Sequence, residues 1–219
     1  FTTLGETVFR GNASVVNGKF AFNFVVPQDI RIPLGNGKIS FYAKNANPNL
    51  EDQTGYNTDI QIGGVNTSAP LDNTPPTVKL YMNDEGFVSG GITNCSPYLL
   101  ALLEDENGIN TASGIGHDIV AILDGDESNP YVLNDYYETE NDDYTKGKVR
   151  FLFRDLEAGM HTILFKAWDV YNNLITLEIQ FNAVCSSNGL QIERVLNYPN
   201  PFVSYTEFWF THNMPFETL

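Results

Sequence analysis

Apolar and polar side chains alternate in short runs along this chain. Over residues 19–26, Phe20, Phe22 and Phe24 fall on one face, and Pro27 closes the run. A period of two marks a strand with one buried face. Residues 38–43 repeat the pattern after Gly35-Asn36-Gly37, and residues 59–62 do so before Gly63-Gly64. Further strands are expected over 78–82, 99–103, 119–123, 149–153, 162–168 and 175–181. Ser89-Gly90-Gly91, Glu106-Asn107-Gly108, Asp124-Gly125-Asp126, Glu157-Ala158-Gly159 and Asn172-Asn173 separate them. No run shows a helical period.

Six or seven short strands over about 100 residues form the pattern of an immunoglobulin-like sandwich. The expected organisation is all-β: a β-sandwich domain over 1–67, a stiff linker over 68–76 ending in Pro75-Pro76, and an immunoglobulin-like domain over 77–185. A further unit is expected over 186–219, where 190–196 and 207–210 read as its first two strands. With Phe at position 1 and no basic and apolar leader after it, the chain is expected to be a piece of something longer.

Composition agrees. Of 219 residues, 42% are hydrophobic and 13% aromatic, too apolar for a disordered tail. The 27 acidic residues outweigh 12 basic ones, for a net charge of -15, which excludes phosphate-tracking nucleic-acid binding. No run of 18 apolar residues occurs that would span a bilayer as a helix. Residues 77–145 hold 14 acids against Lys79 alone, so -13 of the -15 lies there. Eight of those acids fall between Asp124 and Asp143. Oxygen ligands on loops are what Ca²⁺ takes, and Asp124, Asp126, Asp142 and Asp143 are the candidate ligands, although their spacing matches no EF-hand. A solvated acidic face is the plainer reading of the same residues. Tyr131, Tyr136, Tyr137 and Tyr144 interleave the acids, as on a protein-contacting loop or in simple loop packing.

Nucleophile chemistry finds little footing. Cys95 and Cys185 stand ninety residues apart and could make one bridge in an oxidising compartment; two free thiols is the plainer reading. Cys95 has no helix N-terminus to lower its pKa, and nothing in the spacing pairs it with His117. Gly114-Ile115-Gly116-His117-Asp118 lacks the third glycine and the βαβ setting of a dinucleotide fingerprint. His161 follows the corner 156–160 and reads as a structural ring bonded back to it. His212 reads as a loop residue.

Stretches in three regions of the chain together resemble a known family. Asn197-Tyr198-Pro199-Asn200-Pro201-Phe202 resembles the opening of the C-terminal secretion-signal domain of type IX secretion cargo. Asp105-Glu106-Asn107-Gly108-Ile109-Asn110, the 114–118 run, Asn134-Asp135-Tyr136-Tyr137 and Phe165-Lys166-Ala167-Trp168-Asp169 resemble the immunoglobulin-like domain of gingipain-like sortases. The segment from Phe9 to Pro27 looks like the β-domain that precedes it. The resemblance implies two sandwiches followed by the first strands of a truncated signal domain. It implies a non-catalytic spacer and docking region, outside the α/β domain that carries the Cys and His of these peptidases. No residue here matches that catalytic motif. It further implies a cell-surface location, docking through Tyr198, Pro199, Asn200, Pro201 and Phe202, and the outer-membrane β-barrel PorV as partner. An adhesin or carbohydrate-binding module of a type IX cargo protein, or the stalk of another secreted hydrolase, would use the same sandwiches.

Overall fold

The computed structural model describes residues 7–28, 30, 34–44, 51–112, 116–185, 192–201 and 204–213. In chain order the strands are β1 (Gly35–Ala43), β2 (Gln53–Ile62), β3 (Thr77–Met82), β4 (Gly91–Thr93), β5 (Tyr98–Glu104), β6 (Val120–Leu123), β7 (Tyr131–Val132), β8 (Tyr137–Glu140), β9 (Asp143–Leu152), β10 (Gly159–Trp168), β11 (Leu174–Ala183), β12 (Ile192–Tyr198) and β13 (Glu207–His212). One 3₁₀ turn, Asn134–Tyr136, precedes β8.

Two sheets face each other across one core. Their orders are β3-β5-β9-β8 and β4-β11-β10-β6-β7. Every pairing is antiparallel except that of β4 with β11. The alternation explains the layering. Leu99, Ala101 and Leu103 of β5 turn inward, as do Ile163, Phe165 and Ala167 of β10, and all six are buried. Met82, Tyr137, Val149, Phe153, Ile179 and Phe181 complete the cluster. Each large side chain taken out of water there contributes about 2 kcal/mol.

All six strands expected between 78 and 181 are present, most of them longer than their apolar runs. β9 begins at Asp143 because its polar half is held by ladders to β5 and β8. Gly147 lies in that half, where a Cβ would come within 2.5 Å of the Tyr137 ring, so glycine here makes room for a buried aromatic side chain. Three short strands, β4, β7 and β8, carry no alternation long enough to announce them.

The first segment departs from its pattern. Residues 20–26 belong to no strand and enter no ladder, and the regular structure of the described residues there is the antiparallel β1–β2 pair. The alternation survives as packing. Phe9 stacks on Phe24 at 4.4 Å between ring centroids, Phe22 follows Phe24 at 6.2 Å, and Phe41 of β1 closes on Phe20 at 5.2 Å. Gly35-Asn36-Gly37, read as a turn, lies inside β1, with a bulge between Gly37 and Ile39.

Cys95 and Cys185 are bonded, with Cα atoms 5.2 Å apart, which corrects the free-thiol reading. Folding brings the cysteines together because β4 runs parallel to β11, so both strands deliver their following residues to the same end of the sheet. The Val184 amide donates to the Thr93 carbonyl at 2.9 Å and fixes that register.

Candidate functional site

The four acids expected to bind calcium occupy two turns, and each has another partner. Asp124 and Gly125 both have positive φ, and the Asp126 amide donates to the Leu123 carbonyl, so Leu123 to Asp126 form a tight turn that opens the loop between β6 and β7. The Asp124 carboxylate accepts from the Thr162 amide and contacts His161 Nδ1 at 2.7 Å. Asp126 accepts from Ser128 N and Asn129 Nδ2. Asp142 accepts from the Ser14 amide at 2.8 Å, and hydrogen bonds from Ser14 hold its carboxyl below the usual range. Asp143 is held low in the same way by Thr145.

A different set of carboxylates converges. Asp72 of the 68–76 segment, Asp105 after β5 and Asp169 after β10 place one oxygen each within 4.8 Å of one another, and Asp105 and Asp169 are buried. Among the described residues these three acids form a group whose oxygens lie close enough together to share a metal ion. Local chain geometry explains each placement. Asp105 caps its own turn, accepting from the Asn107 and Gly108 amides. Asp169 caps the next, accepting from the Tyr171 and Asn173 amides. Asn107 Nδ2 then reaches Asp72 at 2.7 Å, and Asn173 Nδ2 reaches the Asp72 carbonyl at 3.3 Å. The segment read as a linker is thereby fastened to the sandwich.

Burial, reinforced by the charges of Asp169 and Asp72, pushes the Asp105 carboxyl up to about 6. The folded chain therefore keeps a proton on Asp105 that the unfolded chain has already lost. Stability is reduced above about pH 6 and recovered as the pH falls toward the ordinary carboxylate range near 4. Asp105→Asn keeps an acceptor for the turn and removes the charge. Its melting temperature is expected to exceed that of the parent at pH 7.5 and to approach it at pH 4.5. Equal melting at pH 7.5 would show that the repulsion is absent.

His161 does what its position after the corner suggests. Nε2 meets the Glu157 carbonyl at 2.8 Å while Nδ1 meets Asp124 Oδ2, and its ring stacks on Phe181. Both partners are acceptors, so both bonds form only when the ring carries two protons. Burial pushes this imidazole down, but the Glu157 carbonyl and the Asp124 carboxylate outweigh it and hold the pKa above the ordinary value. The resulting stability is complete below about pH 6.5 and is lost as the pH rises through the folded value. Melting temperatures between pH 6 and 8.5 are expected to fall in the parent and to fall less in His161→Gln. Parallel pH profiles for the two proteins would refute this.

In the tail, Tyr198 ends β12 and is 67% exposed. Pro199, Asn200 and Pro201 form the bend after it, where Thr206 Oγ1 donates to the Pro199 carbonyl and Asn200 Nδ2 donates to Asn197 Oδ1. Phe202 lies outside the described residues. His212 ends β13 opposite Ile192 rather than standing in a loop. Trp168 packs its ring on His117 at 4.3 Å, whereas Trp209 on β13 is 61% exposed. On β1–β2, Tyr42 and Tyr56 share the outer face and are 66% and 71% exposed. Among the described residues, no helix is long and apolar enough to cross a membrane.

Fold and side chains together define an all-β protein, with a disulfide-bonded two-sheet sandwich at its centre. No family model and no curated protein matches the chain. Among solved structures it is similar to a dimeric latent PorU from Porphyromonas gingivalis, with 32% identity and a TM-score of 0.53. The match covers 91% of this chain and 19% of that one, so the chain is similar to one stretch of PorU and spans about a fifth of its length.

Proposed function

We propose that this chain is the non-catalytic spacer and docking region of a type IX secretion sortase. The supporting observation is the 32% identity to PorU, sustained over 91% of the chain. In this reading the parent protein is a gingipain-like cysteine peptidase that removes C-terminal signals from cargo and joins the new end to anionic lipopolysaccharide. Its catalytic Cys and His lie outside these residues. Units 1–67, 77–185 and 186–219, joined through 68–76, orient the catalytic domain at the cell surface. The exposed β12–β13 ribbon, with Tyr198, Pro199, Asn200, Pro201 and Phe202, leads into the domain that docks on PorV.

The test is the intact mass of the native protein, captured from cells with an antibody against these residues. A species several times larger than this chain, labelled by a thiol-directed peptidase probe, is expected. A small, unlabelled species would overturn the sortase reading. Calcium binding through Asp124, Asp126, Asp142 and Asp143 is a separate part of the proposal. Melting in excess Ca²⁺ against chelator tests it: a rise with Ca²⁺ is expected, and coincident curves remove it.

One observation favours a second reading, a carbohydrate-binding module of a secreted cargo protein. Tyr42 and Tyr56 are exposed and diagonal to each other on one face of a strand pair, with Lys38 Nζ over the Tyr56 ring at 5.1 Å, and sugars bind on exposed aromatic rings of this kind. The same captured species decides, because a cargo module would carry no thiol-labelled peptidase.

A further inference from the structure

A strand edge exposes unpaired amide and carbonyl groups, and an extended chain that pairs with it gains hydrogen bonds without needing a core of its own. In the four-stranded sheet, β8 is such an edge. Its outer side is occupied by residues 10–14 of the same chain, more than 120 positions away. Asn12 makes the central contact, donating from its amide to Thr139 Oγ1 at 3.0 Å and from Nδ2 to the Thr139 carbonyl at 3.2 Å. Its carbonyl accepts from the Asp142 amide at 3.1 Å, and a parallel bridge joins Asn12 to Asn141. On one side the Ser14 amide donates to Asp142 Oδ1. On the other, Arg10 Nη2 meets Asp135 Oδ1 at 2.9 Å, and Nη1 donates to the Asp135 carbonyl.

We propose that the β8 edge and the 135–142 loop form a docking surface for an extended strand, and that its occupant is the 10–14 strap of this chain. Three features of the contact support this. Asp142 has a positive φ of 63°, which lets its amide and its carboxylate both face the strap. The surface selects for sequence, with an acid for Arg10 and two acceptors at Thr139, Oγ1 and the carbonyl, that meet both donors of Asn12. A Cβ at Gly11 would come within 2.5 Å of the Phe9 ring and 3.3 Å of Thr139 Oγ1, so glycine lets the strap pass between its own aromatic side chain and the β8 edge. The acidic loop thereby gains a function within the chain. It sets the orientation of the segment before β1 against the sandwich. This deepens the spacer reading and rests on it only for the purpose served, since the docking itself is a property of the isolated chain.

Hydrogen exchange on the full 219-residue chain tests the proposal. Asn12 and Ser14 amides are expected to exchange at least tenfold more slowly than exposed amides, at a rate independent of protein concentration. Asp142→Gly, which removes the acceptor of the Ser14 amide and suits the positive φ, and Arg10→Ala together are expected to speed both at least tenfold while leaving the amides of β10 and β11 unchanged. If the double variant unfolds, Asn12→Ala, which alters only the strap, is expected to speed Ser14 alone in a chain whose β10–β11 protection is retained. Unprotected Asn12 and Ser14 in the parent, or protection indifferent to these substitutions, would overturn the proposal. Protection that vanishes on dilution would overturn it too, because the strap would then lie on a second copy. None of these outcomes depends on whether a peptidase domain is attached, so failure here leaves the sortase reading standing.

Discussion

Replacing Cys95 and Cys185 together by serine is expected to destabilise the sandwich by about 4 kcal/mol, one of the two largest effects predicted for this chain. The bond closes a loop of ninety residues, and the chain entropy it withholds from the unfolded state grows with the logarithm of loop length. For a unit of this size each kilocalorie moves the melting temperature by about 4–8 °C, so a fall of more than 15 °C is expected. Reduction of the parent protein should reproduce the shift. The two cysteines sit at one end of the sheet because β4 and β11 are parallel, and the register is held independently by Val184 and Thr93. The variant should therefore keep the fold and lose only stability. A melting temperature unaltered by either treatment would show that the bond does not form.

Phe165→Ala is expected to cost a similar amount, about 4 kcal/mol, by a different route. Phe165 is fully buried at the centre of β10, opposite Ala121 on β6 and Leu177 on β11. Truncation loses the transfer of the ring from water and leaves a hole that two sheets locked by hydrogen-bonded ladders cannot close. Phe20→Ala provides the contrast: that ring is nearly half exposed, and its loss should cost under about 1 kcal/mol. Urea unfolding monitored by circular dichroism distinguishes them. The Phe165 variant should shift its midpoint without changing its slope, and equal midpoints for the two variants would contradict the assigned core.

The sandwich was legible because its inward faces are spelled in period two, as in Leu99, Ala101 and Leu103 or Ile163, Phe165 and Ala167. The short strands β4, β7 and β8 were not, since two to four residues cannot display a period and their pairing is set by neighbours distant in sequence. The same limit hid the carboxylate cluster. Local density drew attention to Asp124 through Asp143, where acids are numerous but Asp124 is tied to His161 and Thr162, Asp126 and Asp143 to their own turns, and Asp135 and Asp142 to the strap. Asp72, Asp105 and Asp169 are separated by 33 and 64 positions, and folding alone makes neighbours of them. Each does carry a local signal, an acid followed two residues later by a turn-forming position, but that signal reports a cap and says nothing of convergence. In the first segment the alternating phenylalanines were correctly read as one face. What alternation cannot supply is a partner strand, and there the expected ladder was replaced by stacked rings.

The closed loop between Cys95 and Cys185 also decides how the chain behaves under tension. A chain pulled from its two ends lengthens by whatever stretch is free to unravel, and ninety residues drawn straight would yield about 300 Å. The bond short-circuits that stretch. Load entering through β12 would pass from Cys185 directly to Cys95, across the 5.2 Å between their Cα atoms, and leave β5 to β11 unloaded. Only β3, β4 and the segments outside the loop could pay out length. A chain built this way has its limit of extension shortened by that withheld stretch, and the limit is set by covalent connectivity more than by the strength of the fold.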